Sequence, residues 1–176
     1  MILPHSEFVY GYHGCHRKVA AKILNGEDTM LSSDNDYDWL GTGIYFWEDA
    51  PIRAYDWAVK RFGKDDAAVV GAKIRLGACL NLMDVESYQL LQATYESLKA
   101  AGVTLPSNGR YFHRLDCMVV NAATNYASSL GRPFDTVRCP FSEGKPVFPD
   151  SCLYDLSHIQ VAVRNPAAIV ELFAVD

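Results

Sequence analysis

Three polar residues stand in otherwise apolar, strand-forming surroundings: His13, Tyr45 and Gln160. His13 ends the run Phe-Val-Tyr-Gly-Tyr-His and is followed by Gly14. Tyr45 lies in the aromatic run that ends residues 39–47, Trp-Leu-Gly-Thr-Gly-Ile-Tyr-Phe-Trp. Gln160 interrupts His-Ile-Gln-Val-Ala-Val near the end of the chain. An imidazole titrates near neutrality and can donate or accept a hydrogen bond. A tyrosine offers a flat apolar face with one polar tip, and a glutamine amide carries both a donor and an acceptor. Gly41 and Gly43 can take positive φ and let other groups approach the backbone. A bare backbone beside an aromatic plate suits a flat heteroaromatic ligand. Taken singly, each residue also has a structural reading: a satisfied strand histidine, a core tyrosine, an edge-strand glutamine. A lone Gly-x-Gly is equally undemanding.

The elements that must position these groups are legible from periodicity. Residues 8–13 alternate aromatic and small side chains as a strand does. Residues 17–24 carry Val19, Ala20, Ile23 and Leu24 at helical spacing and stop at Asn25-Gly26. Residues 30–33 have the composition of a short strand, and residues 34–38 (Asp-Asn-Asp-Tyr-Asp) that of a polar turn. Tyr45 sits in a strand that presents it on one face and Ile44 and Phe46 on the other. Asp49 reads as the N-cap of a helix with Pro51 in its first turn, ending near Gly63. Residues 67–76 form a strand, extended over 79–83. Asp84 caps a helix over 85–101, and a second helix covers 112–130. Residues 134–141, 158–163 and 168–174 are strands. The order gives a single mixed α+β domain over residues 1–176, with a helical insertion at 84–130 lying against the sheet.

Composition bounds the function. The chain has 176 residues, 49% hydrophobic and 21% charged, in the range of an ordinary soluble domain. A net charge of −5 argues against a broad electrostatic grip on nucleic acid, although His16-Arg17-Lys18 and Lys60-Arg61 with Lys64 could form a local basic patch. Five scattered cysteines without a Cys-x-x-Cys pair read as reduced thiols, not a disulfide frame or a zinc site. The first residues lack a basic segment followed by an apolar one, and no apolar run approaches a membrane span. The expectation is a cytoplasmic protein that binds no membrane and no metal.

Read together, the three segments resemble a family. Tyr12-His13-Gly14-Cys15, followed by a helix ending in Ile23-Leu24-Asn25-Gly26, resembles the first motif of the ADP-ribosyltransferases of the diphtheria-toxin and poly(ADP-ribose) polymerase class. Gly41-Thr42-Gly43-Ile44-Tyr45-Phe46 resembles that class's second motif, and His158-Ile159-Gln160-Val161-Ala162-Val163 is similar to its third. The third motif normally carries a glutamate where this chain has Gln160. The likeness covers the two ends of the chain and leaves the helical middle unaligned.

The resemblance implies a split, mixed or antiparallel β-sheet and an NAD+-dependent mono-ADP-ribosyltransferase. NAD+ would be the substrate, and the acceptor a protein, RNA or DNA group. His13 would bond the adenosine ribose, the Gly14 backbone the nicotinamide carboxamide, and the Tyr45 ring would stack on nicotinamide. Tyr55 or Trp57 would complete the sandwich. Ser32 or Ser33 would meet the ribose or diphosphate, and Arg53 would meet the diphosphate or close on the nicotinamide, unless Arg53 is simply a solvated helix-face charge. Gln160 would sit on the nicotinamide ribose, keeping an acceptor oxygen but losing the charge that roughly doubles such a bond. Glu48 would be the auxiliary acid, with Asp36 and Asp38 as other choices. The family's habits suggest a toxin or defence effector with a neutralising antitoxin partner. The alternatives are a catalytically silent NAD+- or ADP-ribose-binding module and an RNA 2′-phosphotransferase.

Overall fold

A computed structural model describes residues 8–36, 38–109 and 112–175. The N-terminal stretch, residues 1–7, lies outside them, as does Tyr37 in the polar turn. Strand β1 (Phe8–His16) runs directly into helix α1 (Arg17–Leu24), whose first turn is capped by the His16 imidazole accepting from the Lys18 N–H. Gly26, at φ 73°, ends that helix as the sequence implied. Strand β2 (Ile44–Glu48) leads to helix α2 (Pro51–Phe62). The expected cap Asp49 does not cap it. Ala50 holds that position, and Asp49 instead takes a left-handed φ of 49° in the tight corner between strand and helix. Residues 30–33 form no strand; only an isolated bridge joins Ser33 to Gly43.

Strands β3 (Ala67–Arg75) and β4 (Cys79–Asn81) follow, then helix α3 (Val85–Ala100), capped by Asp84 as expected. Helix α4 (Arg114–Ser129) begins two residues later than its pattern suggested. Strands β5 (Thr136–Phe141), β6 (His158–Val163) and β7 (Ile169–Ala174) complete the chain. The seven strands form one mixed sheet in the order β4-β5-β6-β2-β1-β3-β7. Only β4 and β5 pair in parallel. Parallel neighbours need a long crossover, and α3 with α4 supplies it. The segment read as an insertion is therefore the connection that this strand pairing requires.

Ile44 and Phe46 pack with Val161, Val163 and Ile74 on one face of the sheet. Tyr45 lies on the other, against Leu40, Val120, Val137 and Ala162. Helix α2 crosses β1 at small residues. A Cβ on Gly14 would stand 2.2 Å from the Ala54 carbonyl oxygen, so only glycine lets the helix in so closely. Among the described residues, no helix is long and apolar enough to cross a membrane.

Candidate functional site

The sheet parts in the middle. Strand β1 pairs with β3 along its whole length, but with β2 only at Gly11–Glu48 and Tyr12–Trp47. Beyond Tyr12 the strands separate. The His13 imidazole spans the opening, with Nδ1 2.8 Å from the Tyr45 carbonyl. A carbonyl can only accept, so Nδ1 carries the proton and Nε2 keeps a lone pair. Burial lowers the His13 pKa, partly offset by this bond. The ring is therefore neutral at pH 7.

The Tyr10 carbonyl accepts from the Asp49 N–H at 2.9 Å. Strand alternation then turns the N–H and C=O of Gly14 to the same edge, toward the opening, where no β2 residue pairs with them. The α-carbon of Gly14 is covered by α2, so its backbone edge is what it can offer.

A cavity of about 560 Å³ opens at the parting, within the range of small-molecule sites. His13, Tyr45 and Gln160 all line it, although they come from three strands far apart in sequence. Trp39, Trp47 and Trp57 supply further aromatic wall. Trp47 pairs directly with Gln160 across β2 and β6. The Tyr45 hydroxyl is not free to act as an acid or base. It donates to the Gly41 carbonyl at 2.6 Å and accepts from the Leu40 N–H at 3.0 Å, closing the glycine loop on itself. Burial, with the nearby Asp38 charge, pushes its pKa well up. What Tyr45 can present is its ring.

Of the residues expected in the site, Gly14, Ser32, Glu48, Arg53 and Tyr55 do not line this cavity. Glu48 is the clearest correction. Its carboxylate is gripped at both oxygens by Arg138, Nε and Nη2 each at 2.6 Å, on the sheet face opposite Tyr45. The even–odd alternation of β2 puts it there. Arg53 is tied to Glu143 at 2.9 Å, and Arg61, two turns further along α2, lines the cavity instead. Tyr55 faces a separate groove between α1 and α2, whereas Trp57 lines the cavity. Ser32 bonds weakly to the Ser33 carbonyl, and it is Ser33 that lines the cavity.

Two positioning residues carried no signal in the sequence. Asn121 on α4 accepts from the Thr42 N–H at 2.9 Å, and Arg164 after β6 donates to the Thr42 carbonyl at 2.8 Å. Arg164 also reaches Asn121 at 3.1 Å. This network clamps the Gly41-Thr42-Gly43 loop from outside. Among the described residues, no group of three or more His, Cys, Asp or Glu stands together as metal ligands would.

The chain is 27% identical to an uncharacterized protein of Methanocaldococcus jannaschii, over 92% of this chain and 84% of that one. No family model and no solved structure matches it.

Proposed function

We propose that this chain is an NAD+-dependent mono-ADP-ribosyltransferase with the ADP-ribosyltransferase fold. One observation carries the reading: His13, Tyr45 and Gln160 share the walls of a single cavity, opened where β1 and β2 separate. The chemistry of those walls suits the substrate. Tryptophan and tyrosine faces accept a flat, positively charged pyridinium ring. Beside them, the Gly14 backbone edge, which is not among the lining residues but turns toward the parting, would complement a carboxamide. The lone pair on His13 Nε2 accepts from a ribose hydroxyl, and Arg61 offers a cation for the diphosphate. Holding both ends of a bent dinucleotide fixes the scissile bond, which alone supplies several kcal/mol. The acceptor would be a protein or nucleic-acid group, and a neutralising partner protein fits the same role.

Gln160 favours a second reading, a module that binds NAD+ or ADP-ribose without turnover, because its amide lacks the charge that steadies a cationic transition state. An RNA 2′-phosphotransferase has less support, since Arg61 is the one lysine or arginine along the described cavity wall. Incubation with NAD+ labelled in the nicotinamide separates these readings. Release of free nicotinamide supports the transferase; binding without release supports the silent module.

A further inference from the structure

Among the described residues, the cavity wall holds one carboxylate, that of Asp38. Its Oδ2 accepts from the Ser33 hydroxyl, from the Asn35 N–H at 3.2 Å and from the Asn35 side-chain amide at 3.5 Å. These bonds station it. Among the described residues, none reaches Oδ1, and no lysine, arginine or histidine pairs with the group. The other acids nearby are committed elsewhere: Asp34 to the Thr42 hydroxyl, Asp36 to Arg114, Glu48 to Arg138. A half-buried carboxylate fixed by neutral donors, with no counter-charge among the described residues, costs solvation and complements a cation. Here it faces a chamber walled by Trp39, Trp47, Tyr45 and the neutral Gln160.

We propose that Asp38 supplies the negative charge that Gln160 lacks, steadying the positive charge that develops at the nicotinamide ribose. The inference rests on the dinucleotide reading above. In NAD+ the bond between the ribose C1′ and the pyridinium nitrogen breaks, and its electron pair goes to that nitrogen. Nicotinamide leaves neutral, and the positive charge passes to C1′ and the ring oxygen. A nucleophile, water or the acceptor group, then donates an electron pair to C1′ and loses its proton to solvent. A carboxylate near that centre lowers the barrier; a neutral amide does so less.

The test compares wild type, Asp38→Asn, and Asp38→Asn combined with Gln160→Glu. Nicotinamide release is measured at saturating NAD+, NAD+ affinity by calorimetry, and folding by thermal melting. Asp38→Asn is expected to lower the rate at least about tenfold while changing affinity by less than about threefold. The double variant restores the carboxylate from the other wall and is expected to regain rate. Three outcomes overturn the inference: an unchanged rate in Asp38→Asn, a loss confined to affinity, or a folded double variant that recovers nothing. Each of these leaves the dinucleotide reading standing if wild type binds and cleaves NAD+. A wild type that binds no NAD+ removes both.

Discussion

The imidazole of His13 donates from Nδ1 to the backbone carbonyl of Tyr45 at 2.8 Å, across the point where the central strands come apart. One bond thus joins the two sequence motifs, sets the tautomer, and leaves a lone pair facing away from Tyr45. Its consequence is a pH dependence. Burial places the folded-state pKa of His13 below the ordinary 6.5. The neutral form is favoured by folding, so the stability it contributes is present above pH 6.5 and is lost as pH falls through the lowered value. Protonation also converts Nε2 from acceptor to donor. NAD+ affinity, measured by calorimetry between pH 7.5 and 5, should therefore decline on the acid side, and a His13→Asn variant should lack that decline.

Tyr45 separates ring from hydroxyl. Tyr45→Phe leaves the Leu40 N–H and Gly41 carbonyl without their partner and should cost about 1–3 kcal/mol in denaturant unfolding. It keeps the ring and should retain most NAD+ affinity. Tyr45→Ala should lose that affinity. Equal binding by wild type and the alanine variant would refute stacking at this position.

Glu48 should prove structural. Its pair with Arg138 is nearly closed to solvent, at 9% and 14% side-chain exposure, and the pairing raises the Arg138 pKa. Glu48→Gln strands the guanidinium and should cost about 3 kcal/mol of stability. Nicotinamide release per folded molecule should stay near wild type. A selective loss of rate without loss of stability would return Glu48 to the chemistry.

The two arginines of α2 should behave oppositely. Arg61 lines the cavity and makes no ion pair or hydrogen bond among the described residues. Arg61→Ala should weaken NAD+ and ADP-ribose binding about tenfold while leaving nicotinamide riboside, which has one phosphate-free ribose, unaffected. Arg53→Ala should lower the melting temperature by freeing Glu143, with little change in affinity.

Local pattern determined much of this protein. The aromatic alternation of β1, the helix closing at Asn25-Gly26, the Asp84 cap and the three polar strand positions were all readable, because periodicity and capping are properties of neighbouring residues. Even the side of β2 that Tyr45 occupies follows from its alternation. What the sequence left open was which side chains meet. Glu48 was plausible until Arg138 on β5 claimed it from 90 residues away. Arg53 and Arg61 share a helix and a chemistry, and only the packing of α2 on β1, through Ala54 and Gly14, decides which of them reaches the opening. Asn121 and Arg164 lie outside every motif and act by tertiary contact alone. The parting of β1 from β2 is likewise a matter of pairing between strands, and no residue announces where a ladder of hydrogen bonds will stop.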